Sequence, residues 1–173
     1  MKDTIYTQNR ELSWLRFNER VLEEAREKNV PAFEKLKFIS IFTSNLDEFF
    51  MIRVGSLYDQ TFLSKPQIDN KTGMDAAEQL SEIFRAVAPL YKKRDKIYRE
   101  VAGLLCEKGI AHPQMESLTA EERSFAEKYF IADVLPVLSP QIINAHHPFP
   151  HLVNKALYIV LQMKISDKTA YGI

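Results

Sequence analysis

The chain has 173 residues, with 23 basic and 23 acidic side chains and therefore a formal net charge of zero. Hydrophobic residues make up 46% and charged residues 27%, which is typical of a globular protein and excludes a disordered tail, a collagen-like chain and a coiled-coil rod. The neutral charge argues against a nucleic acid as partner, since such binding needs a basic surface.

The chain is predicted to be cytoplasmic. No apolar run approaches the roughly 18 residues of a membrane span, and the first residues show no signal peptide. The single cysteine, Cys106, has no partner for an internal disulfide, which suits a reducing compartment. It is predicted to be a small buried helix residue without special reactivity.

The first half of the chain is predicted to be helical. Apolar residues fall on one broad face of 12–25 and charged residues mostly on the opposite face, as in an amphipathic helix. Pro31 is placed to open a second helix at its first turn. The consecutive Thr, Ser and Asn at 43–45 are poor residues for a helix interior, so we predict a break or kink there and a further helix from Leu46.

A polar loop is predicted at 64–73, followed by a long helix from about Asp75 to Lys108. Pro89 is expected to kink this helix, and Gly109 is placed to end it. The residues of its predicted apolar stripe are Ala76, Leu80, Ile83, Val87, Leu90, Ile97, Val101 and Leu104.

A domain boundary is predicted after this helix, with a helical domain at 1–109 and a second domain at 110–173. In the second domain, Thr119 and Glu122 form the sequence of a capping box, which opens a helix to about Leu135. Extended structure is predicted around the prolines that follow, which are Pro136, Pro140, Pro148 and Pro150.

Apolar side chains alternate from Lys155 to Ile165, which predicts the first strand of the chain, after about Asn154. A second strand is predicted at 170–173. The predicted fold class is mainly α: an N-terminal helical bundle with long antiparallel helices, then the truncated start of an α+β domain with a helix and a β-hairpin. Because the chain stops inside a strand, we expect it to be one piece of a longer protein.

Several motifs, taken together, point to a family. They are NRELSWL at 9–15, FNER at 17–20, LKF at 36–38 and SNLDEF at 44–49, with HPFP at 147–150 before a predicted strand. In this order they closely resemble the N-terminal region of the long-chain polyphosphate kinases, bacterial enzymes that make polyphosphate from ATP. The resemblance covers nearly the whole chain.

The resemblance implies a longer enzyme that transfers the terminal phosphoryl of ATP reversibly onto polyphosphate and uses magnesium. Its implied partners are ATP, ADP, polyphosphate and further copies of itself, in a dimer or tetramer formed through the second domain. Peripheral association with a membrane is compatible with this. The family's phosphorylated histidine, phosphate-binding arginines and metal sites lie in its two C-terminal domains, so we predict no catalytic residue and no metal ligand here and no activity of this chain alone. The four histidines, His112, His146, His147 and His151, do not match the family's catalytic motif.

Asn45 matches the asparagine of the family's N-terminal domain that contributes to ATP binding. An Asn amide carries a donor and an acceptor in one plane, which can pair with an adenine edge. The alternative is that Asn45 or Ser44 caps the helix starting at Leu46, and both roles can coexist.

Other candidate groups have two interpretations each. A magnesium site is one interpretation of Asp47 and Glu48. The side chains of adjacent helix residues point in different directions, however, so the interpretation as solvated or capping acids is favoured. Trp14 and Phe17 suggest stacking on a base, but their helical spacing favours the core. The basic run at 92–99 either guides polyanions or is a solvated face.

Two rival functions remain open. One is a helical interaction or oligomerisation module with no nucleotide role. The other is a metalloprotein that uses His146, His147 and His151, although these residues lack a Cys or a paired acid at ligand spacing and an ordered loop is favoured.

Overall fold

The computed structural model describes residues 7–144, 146–165 and 168–173. The chain divides into two compact units, Met1–His112 and Pro113–Ile173, called here the helical unit and the second unit. The helices of the helical unit are α1 Arg10–Glu23, α2 Ala32–Phe49, α3 Gly55–Gln60 and α4 Ala76–Cys106. A π-helical segment, Phe50–Val54, joins α2 to α3.

The helices α1 and α2 run antiparallel, as predicted. Glu11 at the start of α1 lies 3.9 Å from Arg53, just beyond the end of α2. Ala25, just beyond the end of α1, accepts a hydrogen bond from Lys35 at the start of α2. The short connection between the two helices therefore folds the chain back on itself.

The long helix α4 completes a three-helix bundle by packing against both α1 and α2. Its beginning lies beside the beginning of α1, because Asn9 donates to Gln79 at 2.7 Å. Its later part lies beside the end of α1, where Arg26 and Glu100 are 3.6 Å apart. The helix α4 thus runs parallel to α1, and Leu22, Phe42 and Ile83 are fully buried between the three helices.

The predicted break at 43–45 is wrong, because α2 continues through these residues without interruption. Thr43 donates its hydroxyl to the carbonyl of Ile39 at 2.9 Å, within the helix. Asn45 donates to the buried Asn18 of α1. Both side chains thus have partners that are compatible with a continuous helical backbone through 43–45. The irregularity comes later, at Phe50–Val54.

The ends of α4 follow their local signals. Asp75 and Glu78 form a capping box, with both bonds at 2.9 Å. Gly109 has a φ of +78°, in the left-handed region that glycine favours, and its N–H donates to Cys106. Pro89 lies inside α4, and a kink there stays a prediction.

Two predictions at the end of α4 are wrong. Leu105 is buried and Leu104 is 40% exposed, because the stripe continues from Ile97 through Val101 in steps of four residues. Cys106, the last residue of α4, is exposed because it lies off that stripe.

The first α-helix of the second unit is α5, Ala120–Tyr129, and its capping box of Thr119 and Glu122 is confirmed. The helical path continues through a π-helical segment and a 3₁₀ turn, Leu135–Val137. The prediction of extended structure at Pro136 is therefore wrong. The fixed φ of proline suits the first turn of a helix, where no N–H is needed.

A small antiparallel sheet follows, made of β1 Ile142–Ile143, β2 Leu161–Ile165 and β3 Lys168–Gly172 in the order β1-β3-β2. The prediction that the first strand comes after Asn154 is wrong, because β1 lies at Ile142–Ile143. The sequence did not indicate β1, since a strand of two residues is too short to show an alternating pattern. The predicted strand also starts too early: Lys155 has a φ of +64°, outside the extended region. Gly172 pairs with both Ile142 and Leu161. None of the helices in the described ranges is long and apolar enough to cross a membrane.

Candidate functional site

A surface cleft of about 510 Å³ opens between α1 and the end of α2 in the helical unit, and it is called here the α1–α2 cleft. Its lining residues are Trp14, Phe17, Asn45, Glu48, Phe49, Ile52, Arg53 and Ser56. Asn45, the residue singled out by the sequence, thus lies in a concave, partly aromatic surface. Such clefts are the usual places for small-molecule binding.

Asn45 is held by a chain of two hydrogen bonds, called here the asparagine relay. The fully buried Asn18 donates its Nδ2 to the carbonyl of Phe42 at 3.0 Å. Its Oδ1 accepts from Nδ2 of Asn45 at 3.1 Å. Since the carbonyl of Phe42 can only accept, the orientation of Asn18 is fixed, and Asn45 must turn its Nδ2 toward it.

The capping role considered for Asn45 and Ser44 is wrong, because both residues lie inside α2, which begins at Ala32. The Oδ1 and the second N–H of Asn45 are the groups that the relay leaves to the cleft. A donor and an acceptor in one plane are what a base edge requires.

Aromatic rings form one side of the cleft. The ring of Trp14 lies on Phe49 with centroids 4.5 Å apart and planes 6° from parallel. Phe49 is buried and packs edge-on against Phe50. Trp14 therefore packs against the core, as its spacing indicated, whereas Phe17 is 50% exposed, contrary to a plain core role.

Charged groups lie at the rim. Arg53 is half exposed, and its guanidinium lies 3.9 Å from Glu11, whose side chain is buried and also contacts Arg10 at 2.8 Å. Arg53 thus brings a positive charge to the cleft, and the sequence had not indicated Arg53 as a candidate residue. Glu48 lines the cleft and Asp47 does not, which agrees with their divergent directions on one helix.

A second cleft, of about 310 Å³, lies at the start of α1. Its buried Asn9 caps α1 through the N–H groups of Glu11 and Leu12, and it donates to Gln79. Asp69 accepts from Thr72 and, at 3.4 Å, from Asn9. These groups satisfy one another, so this cleft is explained by the anchoring of the loop before α4.

The basic run at 92–99 is partly engaged in structural contacts. Lys93 donates to Glu19 at 2.7 Å and to Glu23 at 2.6 Å, which ties α4 to α1. Burial lowers the pKa of Lys93, but the two glutamates outweigh it, so this pKa lies above its usual value. Arg94 contacts Asp95 at 2.7 Å.

Two histidines of the second unit, His146 and His147, belong to a local turn. Their backbone N–H groups both donate to Oδ1 of Asn144 at 2.9 Å. His146, His147 and His151 are all exposed. Within residues 7–144, 146–165 and 168–173, no group of three or more His, Cys, Asp or Glu side chains is arranged to hold a metal ion.

Comparison with known proteins shows that both units of the chain match domains of one protein family. Residues 7–112 match the polyphosphate kinase N-terminal domain, and residues 121–173 match the polyphosphate kinase middle domain. The polyphosphate kinase of Bacillus cereus is 45% identical over the whole chain, which covers 26% of that relative. That of Halalkalibacterium halodurans is 42% identical over 96% of the chain and 24% of the relative.

The solved structure of polyphosphate kinase from Porphyromonas gingivalis supports the fold. It aligns with a TM-score of 0.65 and 24% identity, over 94% of this chain and 24% of that one. The chain spans about a quarter of the length of the curated relatives it matches. With the N-terminal domain matched over most of the helical unit, the chain belongs to the polyphosphate kinase family.

Proposed function

We propose that this chain is the N-terminal part of a polyphosphate kinase, which transfers the terminal phosphoryl of ATP reversibly onto polyphosphate. In this proposal the α1–α2 cleft forms a wall of the nucleotide site, and Asn45 binds the adenine. The observation that carries it is the amide of Asn45, fixed by the buried Asn18 at the surface of the cleft. The names of the curated relatives support the reaction.

The chemistry of the cleft suits a nucleotide base. The Oδ1 of Asn45 can accept from the amino group of adenine while an N–H donates to a ring nitrogen. The exposed face of Phe17 offers apolar surface for the base, and Arg53 offers a positive charge at the rim for an anionic ligand. These groups bind and orient, and none of them is a nucleophile or a proton donor suited to phosphoryl transfer.

Phosphoryl transfer needs positioned phosphates, charge neutralisation and, as a rule, magnesium. We propose that the groups for these tasks lie outside this chain, so residues 1–173 alone form no polyphosphate. We also propose the division into a helical domain at 1–109 and a second domain at 110–173, with the second contributing to a dimer or tetramer. Cytoplasmic location, with peripheral membrane association, completes the proposal.

A module for protein interaction is the second candidate function, favoured by the apolar surface of the second unit. Leu157 is 95% exposed and Val137 is 74% exposed. Exposed apolar side chains in such numbers mark an interaction surface. This role accounts for the exposed apolar side chains of the second unit. It does not account for the asparagine relay of the helical unit.

The test is the variant Asn45→Ala in the complete polyphosphate kinase that carries this chain. The adenine edge is remote from the transferred phosphoryl, so the contact is held equally in the ground and transition states, and its loss raises KM more than it lowers kcat. The loss of one hydrogen bond is expected to raise the KM for ATP roughly three- to tenfold. Asn29→Ala, in an exposed loop, is the matched control and leaves both constants unchanged. An unaltered KM for ATP in Asn45→Ala would contradict the nucleotide role.

A further inference from the structure

We propose that Asn18 is a positioning residue that fixes which edge of the Asn45 amide faces the α1–α2 cleft, and that this makes the cleft select adenine over guanine. The inference rests on the proposed contact of Asn45 with the base. It concerns a residue that lies below the cleft surface and lines no part of it.

The position of Asn18 is otherwise that of a core aliphatic residue. It follows Leu15 by three residues and precedes Leu22 by four, on the buried face of α1, and its exposed fraction is zero. Burying an amide there is costly unless all of its polar atoms have partners. The partners are the carbonyl of Phe42 and the amide of Asn45, so, within the described part of the chain, the only side chain that Asn18 contacts by a hydrogen bond is the one at the cleft.

Without Asn18, the amide of Asn45 would have no fixed direction. The terminal torsion of Asn is broad, and a half turn exchanges Oδ1 and Nδ2 at nearly the same place. With Asn18 in place, that half turn would set the Oδ1 of Asn45 against the Oδ1 of Asn18, which are two acceptors. The relay from the Phe42 carbonyl through Asn18 therefore holds the Oδ1 of Asn45 away from Asn18.

An amide of fixed direction discriminates between purines. Adenine carries an amino group at the ring position where guanine carries a carbonyl oxygen. An Oδ1 aimed at this position accepts from adenine and repels the oxygen of guanine, whereas an amide that is free to turn can serve either base. Exchanging a donor for an acceptor at one hydrogen bond changes selectivity by about tenfold.

The experiment compares two substitutions of Asn18 in the complete enzyme, with kcat/KM measured for ATP and for GTP. Asn18→Leu keeps the volume and removes the relay, so the preference for ATP over GTP falls by about tenfold. Asn18→Asp keeps an oxygen that accepts from Nδ2 of Asn45, so the preference is retained although the carboxylate next to the Phe42 carbonyl destabilises the fold. If Leu does not pack, Asn18→Ala carries the same expectation as Asn18→Leu.

The outcomes separate this inference from the proposed function. A purely structural role of Asn18 lowers the use of both nucleotides alike, and an unchanged ATP to GTP ratio in Asn18→Leu and Asn18→Ala would overturn the positioning role. A parent enzyme that uses GTP as well as ATP would also overturn it. If Asn45→Ala leaves the KM for ATP unaltered, the proposed nucleotide contact itself fails, whatever the variants of Asn18 do.

Discussion

The two units of the chain differ most in what they bury. The helical unit encloses a continuous apolar core, with Leu22, Phe42 and Ile83 at zero exposure. In the second unit, Gly172 is the only buried residue among those that the structure describes, and Phe125 is 72% exposed. Both units have well-formed helix caps, so regular local structure is present with and without a closed core.

This difference between the units shows that local sequence signals, such as helix caps, are not the main source of stability. A capping box fixes the path of a few residues, and its N-cap contributes about 1 kcal/mol. Burial of apolar surface contributes about 25 cal/mol per Å² and is the main favourable term in folding. A small sheet that is mostly exposed, such as β1-β3-β2, is marginal without further packing. We therefore expect the measurable stability of residues 1–173 to come from the helical unit.

The sharpest test of this contrast is one phenylalanine in each unit. Phe42→Ala removes a fully buried ring and leaves a cavity, so the free energy of unfolding of residues 1–173 falls by about 3–5 kcal/mol. Phe125→Ala removes an exposed ring and changes it by less than about 0.5 kcal/mol. Urea unfolding followed by circular dichroism measures both. A loss of similar size in both variants would show that the second unit also has a core.

A second test uses a polar residue that the helical unit buries. The ammonium of Lys35 donates to the carbonyls of Ala25 and Glu27, which end the turn after α1. Lys35→Met keeps the length of the side chain but removes the hydrogen bond to each carbonyl, and Glu27 then keeps only the bond from the N–H of Val30. We expect the free energy of unfolding to fall by about 1–3 kcal/mol. Lys128→Met, at the exposed end of α5, is the matched control with little effect. Equal stability of Lys35→Met and the parent chain would mean that water replaces the ammonium.

Sequence predicted those parts of the fold that depend on neighbours in the chain. The capping boxes and the glycine at 109 are signals of this kind. The break at 43–45 was predicted on the same local grounds and is absent, because Asn45 finds its partner in Asn18, 27 residues away in sequence. Helix propensity is easily overruled by such a contact.

The candidate site shows the same limit. The family resemblance pointed to Asn45, but the residues around it become neighbours only when α1 packs on α2. Asn18 did carry a signal, since it is a polar residue between Leu15 and Leu22 on an apolar face. Arg53 carried none, because it lies within the π-helical segment Phe50–Val54, where the 3.6-residue period no longer tells which face a residue occupies.

Among the described residues, one carboxylate in each unit has a lowered pKa, so the two units can also be compared in their response to acid. For Asp69, burial raises the pKa, but hydrogen bonds from Thr72, Asn9 and the backbone of Lys71 outweigh it, so the pKa lies below its ordinary value of 3.8. For Glu122, the hydrogen bonds from the backbone and side chain of Thr119 lower the pKa. Each carboxylate thus prefers its charged form in the folded chain.

The smallest predicted effect concerns how acid unfolds the chain. Because the pKa of Asp69 is lower in the folded state, it stabilises the fold at pH values above 3.8, and this contribution is lost as the pH falls through the folded pKa. Asp69→Asn therefore lowers Tm at pH 7, by less than Phe42→Ala or Lys35→Met does. It also makes Tm fall less steeply below pH 4. Glu122→Gln removes a carboxylate whose pKa is shifted in the same direction, but from the unit without a core, so the Tm of the main transition keeps the parent's dependence on pH. Thermal melts of both variants from pH 7 to pH 3 measure this, and a flatter curve for Glu122→Gln would mean that the second unit shares in the main unfolding transition.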